Sequence, residues 1–182
     1  MRNWFEKTVR GFIALPLVAA LAACASGPPP AALSPEQAAE ISIVETSVDL
    51  SSVGPTTSGR EVGIDVVERA FDERQDFLLS GDGGRDARAE LVVQNVNIIT
   101  AGQSLFLGGE SIMIGTVSLV DVADGAQIVA PVRIESGGGG YVLGGVIGAL
   151  TLEDGDKEVQ ILTDRFLANA QAALVGSGSA AQ

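Results

Sequence analysis

The single cysteine of this chain, Cys24, ends a short apolar segment and follows directly on Leu21, Ala22 and Ala23. With one cysteine the chain can form no internal disulfide, so an oxidising compartment must be tolerated by an ordinary apolar core. The thiol is therefore more informative for its position than for any redox chemistry. Its place near the amino terminus bears on how the protein is processed, located and anchored.

The residues before Cys24 have the layout of a signal peptide. Arg2, Lys7 and Arg10 form a cationic start, and residues 11–23 form an apolar stretch that ends in small residues. A membrane-spanning helix needs about 20 consecutive apolar residues, and this stretch is shorter. We therefore predict that residues 1–23 are a signal peptide.

The Leu21-Ala22-Ala23-Cys24 motif resembles the lipobox of bacterial lipoproteins. The resemblance implies cleavage between Ala23 and Cys24, followed by acylation of Cys24 with three fatty chains such as palmitate. One chain binds a membrane only reversibly, whereas three form a lasting anchor. Ala25 at the next position favours the outer membrane of a Gram-negative envelope, facing the periplasm. The alternatives are an uncleaved signal anchor and a secretory signal with a chance cysteine.

The charge of the chain limits the partners it can have. Residues 1–23 carry three basic residues and one acidic residue, so their removal changes the net charge from −12 to −14. Such an acidic protein repels nucleic acid and anionic lipid headgroups, and no cluster of Lys or Arg offsets this. We expect no nucleic-acid partner; the expected partners are the membrane, through the lipid on Cys24, and a protein of the envelope.

The chain contains no histidine, which excludes Ser-His and Cys-His nucleophiles and histidine-ligated metals. Carboxylate pairs could still support a hydrolase, but no pair stands in an apolar setting. Two acidic segments, residues 82–86 and 153–156, offer oxygen ligands for calcium; the second is also typical of a helix start. We expect no enzyme activity, no cofactor and no metal.

Composition divides the chain into four parts. After the signal peptide, residues 24–40 hold the lipidated cysteine and a tether containing Pro28, Pro29, Pro30 and Pro35. Some 15 extended residues could reach roughly 45 Å from the bilayer. We expect residues 41–176 to form a single domain and residues 177–182 to form a flexible tail.

Apolar periodicity predicts the elements of that domain. Strands are expected from Ile41, over residues 89–99 with a bulge, over residues 111–120, and again around Pro131, which favours a sheet edge. A helix is expected after the Ser-x-x-Glu capping box at Ser58, and a second over residues 156–174. The order β-α-β-β-β-α predicts an α+β fold: a mostly antiparallel four-stranded sheet with two helices on one face.

A lipobox, a helix, and a hairpin of the form Leu119-Val120-Asp121-x-x-Asp124-Gly125 before a carboxy-terminal helix resemble the small, uncharacterised envelope lipoproteins of the YajG-like group. The resemblance covers about residues 41–174. It implies an accessory protein facing the periplasm and carries over no catalytic residues.

Two apolar, glycine-rich segments could form a docking site, because both should leave the sheet at the end opposite the Asp124-Gly125 turn. Exposed apolar patches usually mark interaction sites. The alternative is that the two segments fold onto the sheet end and extend the core, with glycines allowing close approach. The candidate docking residues are Leu105, Phe106, Leu107, Tyr141, Val142, Leu143, Val146 and Ile147.

The leading hypothesis for function is a membrane-anchored, non-enzymatic accessory or adaptor lipoprotein of the cell envelope. The alternative is a periplasmic carrier or sensor of a small apolar ligand held between helix and sheet. That alternative predicts a cavity of several hundred Å³ lined by Phe71, Phe166 and strand residues.

Overall fold

Four helices and five strands make up the part of the chain that the computed structural model describes, residues 30–106, 110–137 and 154–176. In chain order they are α1 (Pro35–Glu40), β1 (Ile41–Asp49), β2 (Ser58–Gly59), α2 (Ile64–Asp72), β3 (Arg85–Ile98), α3 (Ala101–Phe106), β4 (Ile112–Asp121), β5 (Gln127–Gly137) and α4 (Gly155–Val175).

The strands form one sheet in the order β1-β3-β4-β5. Strands β3, β4 and β5 are antiparallel neighbours, whereas β1 runs parallel to β3 because α2 lies in the connection between them. The two-residue β2 continues the β1 edge by pairing with Asn97 and Ile98. The predicted α+β class and the mostly antiparallel sheet are confirmed; β2 is a fifth, very short strand.

One face of the sheet is covered by helices and forms the core. Along β3, Ala87, Ala89, Leu91 and Val93 are buried at every second position, as expected for a strand with one covered face. Helix α4 packs its apolar stripe onto this face, and α2 packs against α4. The rings of Phe71 and Phe166 meet edge to face, with centroids 6.0 Å apart.

The opposite face of the sheet carries charged pairs beside half-buried apolar residues such as Ile112 and Ile114 of β4. Arg88 lies between Glu45 and Glu90, at 3.7 Å and 3.2 Å, and Arg133 lies 3.4 Å from Glu135 on β5. Exposed pairs of this kind contribute about 0–1 kcal/mol each, so they keep this face soluble more than they hold the fold together.

Two irregularities in the strands fall where the sequence indicates them. The register of β3 against β4 shifts between Val93 and Asn95, which confirms the predicted bulge. The register of β4 against β5 shifts near Pro131, which lies between the paired residues Val129 and Val132. Proline cannot donate to a ladder, and β5 is an edge strand of the described sheet, as predicted.

The folded structure begins before residue 41, inside the predicted tether. Ser34 caps α1 in a complete capping box with Gln37, and Pro35 occupies the first turn. Before α1, the amides of Ala32 and Leu33 donate to the carbonyls of Ala173 and Leu174 at 2.8 Å and 2.9 Å. Residues 32–40 therefore pack on the domain, and the tether that residues 24–40 were expected to form is shortened accordingly.

The capping box expected at Ser58 is wrong, because this residue belongs to β2. Its hydroxyl donates to the carbonyl of Val96 at 3.0 Å, across the edge of β3. Helix α2 instead begins after Gly63, with no side-chain cap. A pairing between residues so distant in sequence overrides the local capping signal.

Helix α2 is also shorter than the periodicity predicts, ending at Asp72 instead of near Leu78. Beyond it, backbone bonds of the tighter i to i−3 type run from Arg74 to Phe71 and from Phe77 to Arg74. These turns bury Leu78 and bring Ser80 to β1, where it exchanges backbone bonds with Ile43 at 2.8 Å and 3.1 Å.

Helix α4 is the longest element and ends as expected at Gly176, which has a positive φ of 86°. It runs antiparallel to β5: Arg165 contacts the carbonyl of Gly137, and Asn169 contacts that of Glu135, each at 3.0 Å. Within the described ranges, no helix is long and apolar enough to cross a membrane.

Candidate interaction sites

The residues of the predicted lipid-attachment site, Ala23 and Cys24, lie outside the described residues. The structure places the nearest described segment, residues 30–34, beside the carboxyl end of α4. The β4–β5 turn is at the same end of the sheet, because Asp121 pairs with Ala87 near the start of β3. We refer to this as the anchor end of the domain.

The predicted docking residues fall on two connections at the other end, the distal end. Asn97 pairs with Ile112 and Ile112 pairs with Gly137, so both connections leave the sheet together, as predicted. The backbone of Leu105 and Phe106 lies in α3. Contact between the two connections stays a prediction, because the remaining residues lie outside the described ranges: Leu107, Tyr141, Val142, Leu143, Val146 and Ile147.

A buried polar cluster at the distal end was not anticipated. Glu158, 7% exposed, accepts from the hydroxyl of Ser111 and forms an ion pair with Arg60. Ser111 also accepts from the amide of Ile99 at 2.9 Å. The cluster joins the first turns of α4 to the residue after β2 and to the start of β4.

The chemistry of this cluster is that of a satisfied structural carboxylate. Glu158 has a charged donor and a hydroxyl donor, which is how a buried carboxylate avoids its desolvation penalty. In the described part of the chain, no three acidic or thiol side chains group as metal ligands. The sequence contains one signal of this cluster: Glu158 lies one helical turn before Leu162 and therefore places a charge on the apolar stripe of α4.

A cavity of about 380 Å³ lies between α2 and the end of β1 and is partly open to solvent. It differs from the cavity that the carrier hypothesis predicts, because Phe166 is fully buried against Phe71 and does not line it. The lining is mixed, because apolar side chains lie beside two acids of α2 and a serine. The lining residues are Val48, Leu50, Ser51, Gly54, Ile64, Glu68, Phe71 and Asp72.

The outer edge of β1 is next to this cavity and carries exposed apolar side chains. Of the five large hydrophobic residues that are exposed in the described ranges, two are on β1 and two are on the turns that reach Ser80 beside it. The fifth, Val122, is in the β4–β5 turn. We call the set of four the β1-edge patch: Val44, Val48, Phe77 and Leu79.

Hydrogen bonds perturb the acidity of a few groups near these surfaces. The amide of Ser51, which also lines the cavity, donates to Asp49 at 2.8 Å and lowers the pKa of that carboxyl. The carboxylate of Asp164 accepts a hydrogen bond from Arg74 and thereby raises the pKa of the Arg74 guanidinium. At the anchor end, Arg85 donates to Asp121 at 2.6 Å and lowers the pKa of that carboxyl.

Sequence reasoning missed the β1-edge patch, although it contains one local signal. Ile43 and Val44 are adjacent apolar residues, and successive side chains of a strand point to opposite faces. One of them must therefore leave the core face, and the register shift between Ile43 and Glu45 is where this happens. That β1 would be an edge strand depends on the parallel pairing with β3, which no local pattern reveals.

No protein-family model matches this sequence, and no curated protein matches it. Two solved structures are similar in part. One is a "putative lipoprotein" from Caulobacter crescentus, 15% identical over 74% of this chain and 82% of that chain, with a TM-score of 0.30. The other is a protein of the DUF330 family from Xanthomonas campestris, 13% identical over 78% of this chain and 81% of that chain, with a TM-score of 0.36.

Proposed function

We propose that this protein is a lipid-anchored lipoprotein of the bacterial envelope that acts by contact with a partner protein. The observation that carries the proposal is the Leu21-Ala22-Ala23-Cys24 motif at the end of a signal-like segment. Outer-membrane attachment facing the periplasm follows from Ala25 after the cysteine, and it is the finer part of the proposal.

The attachment of the amino-terminal segment supports a short connection to the membrane. Ala32 and Leu33 already bond to the end of α4, so roughly eight residues remain between them and Cys24. At about 3.1 Å per residue in the extended polyproline form, these span roughly 25 Å. The anchor end of the domain would then stay near its own membrane, and the distal end would face away from it.

A role through contact, without catalysis, is supported by the residues available. The sequence has no histidine to act as a general base near neutral pH. The buried Glu158 is committed to Arg60 and Ser111, and the remaining acids are largely on the surface. Exposed apolar side chains on an edge strand are, by contrast, a typical means of binding another protein.

The test is acylation of Cys24 in the native host. We expect mass spectrometry to find a mature chain that begins at a triacylated Cys24, and we expect Cys24→Ser to lose both cleavage and acylation. Ser26→Ala, two residues beyond the cysteine, should behave as the unaltered protein. An intact leader, or a free thiol on a chain that still fractionates with membranes, would refute the anchor.

A carrier of a small apolar ligand is the second candidate, and the cavity beside β1 is the observation that favours it. Its volume of about 380 Å³ is within the range of small-molecule sites. A fluorescent fatty acid titrated against the mature protein tests this idea. Saturable binding that Ile64→Glu abolishes would support a carrier, and binding that this variant leaves unchanged would count against it.

A further inference from the structure

We propose that the outer edge of β1 binds an extended segment of an envelope protein in which apolar residues alternate with Lys or Arg, and that one basic side chain of this segment lies in the cavity beside α2. The inference rests on the proposed function and specifies the chemistry of its partner.

The backbone of β1 is available for pairing along much of its length. On its inner side β1 pairs with β3 from Ile41 to Asp49; on its outer side, within the described ranges, its one bridge joins Ile43 to Ser80. The strand therefore offers unpaired edge groups beyond Ile43. An extended peptide can satisfy such groups by adding a strand to the sheet.

The side chains along this edge are both acidic and apolar, because the exposed Glu45 and Asp49 directly follow Val44 and Val48. Edge strands normally avoid pairing with other chains by carrying charge or proline. Here Val44 is 47% exposed, and Leu79, next to the bridging Ser80, is 39% exposed. Apolar residues of an added strand would remove this surface from water.

The cavity specifies the charge of the partner. Glu68 and Asp72 are one helical turn apart on α2 and both line it, and like charges at this spacing repel. The nearby guanidinium groups are already engaged, Arg69 with Asp65 at 3.2 Å and Arg74 with Asp164. A Lys or Arg side chain could lay its methylene groups on Ile64 and Phe71 and place its charge between the two acids.

A second copy of this chain fits the edge less well. Two β1 edges would bring the acids of both copies together in a protein of net charge −12 before processing, and like charges across an interface oppose association. A basic partner instead gains from the same field.

The experiment uses fluorescence anisotropy to measure how a short fluorescent peptide of alternating valine and lysine binds to this protein. It is run with the lipidated protein in detergent and with the full Cys24→Ser chain. We expect saturable binding in both, weakened by added salt, and much weaker binding of a valine–glutamate peptide. The Cys24→Ser chain cannot be acylated at this position, so peptide binding by it tests the docking site independently of the lipid anchor. Either proposal can therefore be refuted without the other.

Matched variants locate the site. Val44→Ser should weaken binding roughly tenfold, whereas Val122→Ser, at a similarly exposed valine in the β4–β5 turn, should not. Glu68→Gln should weaken binding of the lysine peptide, whereas Asp156→Asn, the same loss of charge on α4, should leave it unchanged. Equal effects of a variant and its control would overturn the proposal.

Amide hydrogen exchange distinguishes strand addition from other contact. We expect the bound peptide to slow exchange at outer-edge amides between Glu45 and Asp49. Unchanged exchange there would overturn the strand-addition geometry. Concentration-dependent dimers that Val44→Ser dissociates would show that a second copy, and not a basic segment, occupies the edge.

Discussion

Gly115 lies in the middle of β4, where Phe166 of α4 packs against the sheet. A Cβ at this position would be 2.3 Å from the carbonyl oxygen of Val92 and 2.9 Å from the ring of Phe166. The first contact is with backbone of the neighbouring strand, beside the bulge in β3, so it cannot be relieved by a side-chain rotation. The close packing of α4 on the sheet depends on the absence of a side chain here.

Gly115→Ala should therefore destabilise the protein by about 1–3 kcal/mol, as expected for overpacking in a filled core. Chemical denaturation of the mature chain measures the change. Gly84→Ala is the matched control, because a Cβ there meets nothing within 4 Å. Equal stabilities of the two variants would contradict the close approach of β4, β3 and Phe166.

The ion pair of Asp121 makes the stability of the fold depend on pH. Arg85 lowers its pKa in the folded state, and the ordinary pKa of aspartate is about 3.9. A lowered folded pKa stabilises the fold above the ordinary value, and this contribution is lost as the pH falls through the folded pKa. We expect Arg85→Gln to raise the pKa of Asp121 in an NMR titration, and Arg133→Gln to leave it unchanged; an unaltered pKa in the first variant would contradict the pair.

At the scale of elements, the long strands and α4 were predictable because each has one buried face, and burial imprints a period of two or of 3.6 on the sequence. Strand β2 could not be predicted in this way, since two residues carry no period and Ser58 depends on β3 for its partner. Helix α1 was not predicted because the prolines favoured a tether, although the sequence contains the Ser34 capping box. The β1-edge patch required the strand order, which depends on contacts distant in sequence.

The buried cluster around Glu158 holds three elements together, and its removal tests that role. Glu158→Ala leaves the guanidinium of Arg60 without this carboxylate and the hydroxyl of Ser111 without its acceptor. We expect a loss of about 2–3 kcal/mol in the free energy of unfolding. Glu158→Gln, which keeps an acceptor for Ser111, should lose less, and Asp156→Ala on the exposed side of α4 should change little; a ranking that differs would show that the cluster is not satisfied as described.

At the scale of the whole molecule, the two ends of the sheet have different surroundings. The segment leading from the proposed anchor meets the carboxyl end of α4, whereas α3 and the connections after β3 and β5 leave the opposite end. The ten residues of β4, at about 3.4 Å each, separate these ends by roughly 30 Å. A domain held by a short tether should therefore have a preferred orientation.

Fluorescent labels on introduced cysteines can measure this orientation, because acylation blocks Cys24. In vesicles, a label at Asp124→Cys in the β4–β5 turn should be quenched by a lipid-borne quencher more strongly than a label at Gln103→Cys in α3. Quencher-free vesicles give the reference for each label. Equal quenching, or the reverse order, would contradict the orientation.

The bonds from Ala32 and Leu33 to Ala173 and Leu174 bring the first and last described segments of the chain side by side. The two segments are therefore close enough in space to be connected by a short linker. Linking these segments covalently and opening the chain at Gly125, which occupies a tight turn with positive φ, would give a circular permutant with the same contacts. In that permutant the new amino terminus would lie in the β4–β5 turn. A lipid attached to it would therefore again be at the anchor end of the domain.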